Sequence, residues 1–306
     1  MKTLYTIVFT LLFISSNYAQ GLYLNLEKGK EYLQHSNSTT KVLQHIEGQE
    51  LHTTISLIGT TSFLVKKVKR KGYVMDVRFV DLLMQMNSPQ GTMEFDSENP
   101  GSDDIFSDLL KKMTDFSFEI TLSKFGRVLD ANEMNGIWDV MVDEVQGLSG
   151  AQKKQIKAEL NKTYGEKAFT GNLESVTAIY PENPVELGDK WMVETILSSG
   201  MKAKSEADLK LTKLNEDYAL IISESNITTI NKDEYALIGG LEIKYDMNGT
   251  ASAEYKVDPK SGWIKEAKII QEMEGVAYVK GNPQMPEGLE IPMTMSSESE
   301  ISSQKQ

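Results

Sequence analysis

Apolar and polar residues alternate with a period of two along most of this chain, the pattern of half-buried β-strands. From Gly21 to about Met86 it runs strand after strand, rich in Val, Ile, Thr, Leu and Tyr, with turn residues at Gly29, Gly48, Gly59 and Gly72. Tyr73, Met75, Val77 and Phe79 share one strand face, and the apolar set then moves to Leu82, Met84 and Met86, one step out of phase. A bulge near Asp81 restores both sets to one core, because one extra residue flips every later side chain. Phe116, Phe118, Ile120 and Leu122 give another half-buried strand.

The period lengthens in two places. Ser102 opens a helix with Asp103 and Asp104 in its first turn and Lys111 and Lys112 in its last, matching the helix dipole, and Ile105, Leu109 and Met113 form its apolar stripe. A second helical block runs from Met134 to Val145 and again from Ser149, where Ser149 and Gln152 have capping-box spacing ahead of Ile156, Leu160 and Tyr164. Lys153, Lys154, Lys157 and Lys162 make this helix locally basic, read as a solvated face answering an acidic chain, with a docking surface for an acidic partner as the alternative. Tyr180 to Asp189, with Pro181 and Pro184, reads as a linker, and Trp191 starts the next strand. Asn248-Gly249 marks a hairpin, for which a three-residue loop pairs Met247 with Ala251, Tyr245 with Ala253 and Ile243 with Tyr255.

The expected fold class is α+β, mostly long antiparallel strands in one or two curved sheets with a central helical block. The expected divisions are a leader over 1–19, an N-terminal sheet-rich lobe over 20–130 with a helix near 102–114, a helical block over 131–179 and a C-terminal antiparallel lobe over 180–306. Leu122 to Val128 and Val257 to Ile264 both read as strand, glycine turn, strand, a faint echo between the lobes.

Lys2, the apolar run Leu4 to Ile14 and Asn17-Tyr18-Ala19 have the form of a secretory signal peptide cleaved after Ala19, which places the mature protein in the periplasm or outer envelope. The absence of cysteine excludes a disulfide scaffold, a thiolate metal site and a cysteine nucleophile. With 32 basic against 44 acidic residues and a net charge of −12, nucleic acid is not an expected partner. No later stretch reaches the roughly 18 apolar residues of a membrane helix, so no transmembrane span is expected in the mature chain.

The signal peptide, the Gly126 turn, the Pro181 to Trp191 crossover and the Val257 to Ile264 hairpin together resemble an uncharacterised family of secreted bacterial proteins of about this length. The second half is loosely similar to periplasmic lipoprotein carriers, whose curved sheets wrap an apolar hollow under helices. Neither resemblance carries over a functional residue.

Candidate chemistry is sparse. With Gly48-Gln49 as a two-residue turn, Glu47 faces Glu50 and His45 faces His52, and these four side chains could hold Zn²⁺. The alternative is a solvated hairpin tip. No nucleophile elbow, zinc-protease helix, phosphate loop or dinucleotide fingerprint is present, so no catalytic residue and no cofactor is assigned and a non-enzyme is expected. Methionine is abundant, at 15 residues, and thioethers adapt to irregular ligands. Met75, Met84 and Met86, with Leu109 and Met113 of the first helix as a lid, are the candidate lining of an apolar hollow, with ordinary core filling as the alternative. The expected function is a secreted, non-catalytic envelope protein binding an apolar small molecule or lipid. The alternatives are a structural or interaction protein with an envelope-protein partner, and a hydrolase with a carboxylate site that has no local signature.

Overall fold

The computed structural model describes residues 21–99, 105–145, 147–198, 201–238, 240–283 and 285–303, so the leader expected over 1–19 lies outside the described residues. The first half forms β1 (Glu31–Ile46), β2 (Gln49–Lys69), β3 (Gly72–Ser88), β4 (Gly91–Asp96), α1 (Ile105–Asp115), β5 (Ser117–Ser123) and β6 (Val128–Asp130). Three further helices follow: α2 (Ile137–Asp143), α3 (Gly150–Tyr164) and α4 (Glu166–Thr177). The second half is β7 (Lys190–Leu197), β8 (Ala203–Leu214), β9 (Ala219–Thr229), β10 (Ala236–Ile238), β11 (Leu241–Val257), β12 (Ile264–Val279) and β13 (Leu289–Ser302).

All thirteen strands belong to one antiparallel sheet, ordered β6-β5-β3-β2-β1-β13-β12-β11-β9-β8-β7, with β4 paired to β3 and β10 to β11. This corrects the expectation of one or two sheets around a central helical block. The two sequence halves join where β1 pairs with β13, from His35 opposite Ser302 to Gln44 opposite Met293. Chain order therefore runs outward from this seam to one edge, β6, then returns from the other edge, β7. The segment carrying α2, α3 and α4 connects those two edges, and it lies across one face of the sheet rather than between two sheets.

That inner face is set by strand alternation. Its lower end is filled by Tyr32, Phe63, Tyr73, Met75, Val77, Phe118, Ile120 and Leu122 from one wing and by Leu209, Leu211, Ile221, Tyr255 and Val257 from the other. One core drawn from both wings requires the sheet to be strongly curved. Leu173 of α4, the crossover residues Ile179, Tyr180 and Val185, and Trp263 complete it. The proline-rich segment is thus part of the core and not a free linker. The bulge expected near Asp81 is present: Thr60 pairs with Asp81 and Thr61 with Phe79, leaving Val80 extra, and Leu82, Met84 and Met86 return to the inner face.

An extended strap, Leu22 to Leu26, closes the lower end, with Leu22, Leu24 and Leu26 each buried in the core. Its backbone bonds both echoed turns, Leu24 N donating to Lys124 O at 2.8 Å and Asn25 N to Ser261 O at 2.7 Å. Tyr73 Oη donates to Leu24 O at 2.6 Å.

No hairpin forms at Asn248-Gly249, contrary to expectation: β11 runs unbroken through it. Ile243, Tyr245, Met247, Gly249, Ala251, Ala253 and Tyr255 keep one phase throughout, and β12 pairs with β11 from Ile243 to Val257. An in-phase apolar set describes one long strand as well as it describes a folded pair, and the long neighbours β9 and β12 select the strand.

Candidate functional site

The inner face has three zones above the lower core. On β8 to β13 a methionine-rich cluster packs on itself, with Met247, Met273 and Met293 buried beside Ala203, Ile227, Ala277 and Ile291. On the opposite wing an apolar patch stays open: Ile55, Met86 and Met93 form one cross-strand row, and Leu57, Met84 and Phe95 the next. Leu57 is 43% exposed and Met93 45%. Between the two lies a lane of small residues, Ser36, Ser38 and Thr40 on β1 beside Ser299 and Ser297 on β13, all half-buried although their strands are at the centre of the sheet.

The helices cover this face as a bridge. At one side α1 rests on β3 and β4, where Phe106 packs on Phe95 with ring centroids 5.2 Å apart and Ser107 Oγ accepts from Asp96 N. At the other, Lys162 Nζ of α3 donates to Leu237 O of β10, and Tyr255 Oη of the sheet donates to Ser175 O of α4. Burial raises the Tyr255 phenol well above its usual range, so it stays a protonated donor. Between these anchors Leu109, Trp138, Met141, Val142, Val145 and Leu160 form a separate core of α1, α2 and α3, with no sheet residue in it. The bridge has its own interior and leaves the rows beneath it partly free.

The expected lining residues are therefore divided. Met84 and Met86 lie in the open patch, but Met75 is sealed in the lower core, and Leu109 and Met113 belong to the separate cluster that α1 shares with α2 and α3. Ile55, Leu57 and Phe95, which accompany Met84, Met86 and Met93, are not singled out by the sequence; their signal is continuation of the same alternation onto neighbouring strands. Asp103 and Asp104 lie outside the described residues. The capping box is present, with Ser149 Oγ accepting from Gln152 N and the Gln152 side chain accepting from Ser149 N. The basic helix is internally engaged: Lys153 Nζ donates to Asp143 O, and Lys157 pairs with the Asp143 carboxylate at 2.7 Å, holding it below the usual carboxylate range.

The histidine hairpin differs by one step of register. Glu47 and Gly48, both with positive φ, form the turn, so His45 faces Glu50 and His52 faces Leu43. Glu50 lies between the imidazoles, 3.9 Å from His45 Nδ1 and 3.6 Å from His52 Nε2, while Glu47 belongs to the turn itself. Among the described residues no group of three or more His, Cys, Asp or Glu is arranged to hold a metal ion.

On the outer face a groove of about 720 Å³ crosses five central strands. Two outward-facing cross-strand rows line it, Thr54-Lys41-Ser296-Glu272-Thr250 and His52-Leu43-Thr294-Glu274-Asn248, with the row Thr53-Val42-Met295-Met273-Gly249 between them. Its lining mixes Ser, Thr, Lys and Glu side chains with Val42, Leu43, Met273 and Met295. Among the described residues no helix is long and apolar enough to cross a membrane.

These features define a class: a single curved antiparallel sheet with a helical bridge across its inner face. The chain belongs to a family of unknown function, DUF6263, whose pattern matches residues 70–264. No curated protein matches it in sequence. Among solved structures it is similar to one described for lipid–protein interactions in lipovitellin, at 8% identity and a TM-score of 0.51. The match covers 92% of this chain and 26% of that one, so the chain spans about a quarter of its length. An outer membrane channel from Pseudomonas putida F1 follows at 6% identity and a TM-score of 0.24, covering 93% of this chain and 99% of that one. The β domain of the Bordetella autotransporter Brka has 9% identity and a TM-score of 0.23, covering 90% and 100%.

Proposed function

We propose that this is a secreted, non-catalytic protein of the bacterial envelope that binds the acyl chain of a lipid against the inner face of its sheet. The observation that carries this reading is the open apolar patch of Ile55, Leu57, Met84, Met86, Met93 and Phe95, on the concave side of the sheet and next to a helical bridge with a core of its own. Large contiguous apolar surface left uncovered marks a binding site, and methionines adapt to chains of varied shape. The fold-level likeness to lipovitellin, a structure described for lipid–protein interactions, supports the same direction. The signal-peptide pattern of residues 1–19 supports the compartment.

A fluorescent long-chain fatty acid titrated into the mature protein should bind saturably and be displaced by extracted envelope lipid. Leu57→Asp with Met84→Asp should lower affinity at least about tenfold while the fold survives, since Leu57 is exposed and Met84 half-buried. A folded wild-type protein that ignores the probe removes the lipid reading and favours the envelope-interaction reading, with exposed Met93 and Phe106 as the docking rim.

A further inference from the structure

We propose that the closed end of the inner face receives the acyl carbonyl of the ligand, held by two buried N–H donors, Gln34 Nε2 and Trp263 Nε1. Both atoms are buried and neither has a hydrogen-bond partner. Gln34 is 9% exposed and Trp263 5%, and both line one narrow internal void together with Leu24, Thr177, Tyr180 and Ile264. The other donors at this void are committed: Tyr180 Oη donates to Gly262 O, and Thr177 Oγ1 lies 2.7 Å from Gly126 O and 2.9 Å from Leu173 O. An orphaned buried donor forfeits its hydration without recompense, so two at one void call for a shared acceptor.

The void has no room for a free water, so the acceptor enters only as the side chains lining it move apart. A lane already leads there. From Gln34 the inner side of β1 continues through Ser36, Ser38 and Thr40, roughly 20 Å of strand. Gly59 lies across from Ser36, and Ser38 and Thr40 pair their hydroxyls with Ser299 at 2.8 Å and Ser297 at 3.0 Å. Small side chains with mutually satisfied hydroxyls make a floor that an extended acyl chain can follow without stranding a polar group. The end of that floor offers two neutral donors and no cation. A buried carboxylate would keep its charge there only at high cost, so the head group that fits is neutral: an ester, or a protonated acid.

This inference rests on the acyl-binding reading above, and the test separates the two. A long-chain methyl ester and an alkane of equal length would each be competed against the fluorescent fatty acid on the mature protein. The ester should compete about tenfold better, and Gln34→Leu and Trp263→Phe should each erase that margin while leaving alkane competition unchanged. Equal competition by ester and alkane in the wild type overturns the head-group site and leaves the apolar-ligand reading standing; failure of both probes overturns both. Trp263 packs tilted on Tyr32 and edge-on against Phe63, so if Trp263→Phe fails to fold, Gln34→Leu decides: loss of ester and alkane competition together shows a merely structural role and overturns the proposal.

Discussion

Gly249 of β11 sits directly across from Met273 of β12, and two residues away the relation reverses, Met247 facing Gly275. Each methionine thereby lies beside a position without a side chain, which lets both become buried in the upper cluster. The strands approach closely here. A Cβ on Gly249 would come within 2.1 Å of the Glu272 carbonyl oxygen, and one on Gly275, whose φ is +156°, within 2.0 Å of that of Asp246. Gly249→Ala should therefore destabilise the protein by about 2–4 kcal/mol, far beyond the propensity difference, because backbone must move. Urea denaturation reads the change; a variant within 0.5 kcal/mol (roughly the surface-substitution range) would show that the strands can part freely.

The strap makes a second test. Leu24 is 2% exposed, and its carbonyl takes the Tyr73 hydroxyl. Leu24→Ala should cost about 2–4 kcal/mol through lost burial and a cavity, and Leu24→Asp should prevent stable folding. Equal thermal midpoints for wild type and Leu24→Ala would mean that the strap is dispensable.

Glu47 occupies a left-handed position at φ 51° ahead of Gly48. Asn is far better suited to that backbone in a two-residue hairpin. Glu47→Asn should raise stability by about 0.5–1 kcal/mol, seen as a higher urea midpoint at unchanged slope. A lower midpoint would contradict the turn assignment.

Acid sensitivity should centre on the Val257 to Ile264 turn. Burial pushes the Asp258 carboxyl up, yet hydrogen bonds from Ser261 N, Ser261 Oγ and Lys260 N outweigh it and hold the group below the usual aspartate range. A lowered folded-state pKa adds stability above the unfolded aspartate value and loses it as pH falls through the folded one, so the loss lies below about pH 4. Asp258→Asn should be less stable than wild type at pH 7 and show a shallower decline between pH 5 and pH 2. Parallel curves for the two proteins would refute the assignment.

Local chemistry was legible in the sequence where one segment determines its own geometry. The Ser149 to Gln152 capping box and the bulge that returns Leu82 to the core are of this kind. The hairpin at Glu47-Gly48 was misplaced by one residue because Gly48-Gln49 offers an equally short turn; the choice depends on matching His45 to Glu50 across the strands. At Asn248-Gly249 a turn-like dipeptide inside an in-phase strand was misread for the converse reason, since only its long neighbours reveal continuity. The single sheet was illegible because its seam pairs His35 with Ser302, and no local pattern encodes so distant a partner. The open patch lies between: its period shows in each strand, but its exposure depends on where the helices come to rest.

The seam between β1 and β13 also dictates the order in which this molecule can be finished. As the chain is made, β1 and β2 are available early, but β1 keeps one edge unpaired until β13 arrives. For that interval the nascent protein presents a long, β-prone edge, the kind of surface on which chains pair with the wrong neighbour. Contacts of such sequence separation form slowly. Its Ser, Thr and Asn content from Ser36 to Thr40 keeps the waiting edge polar.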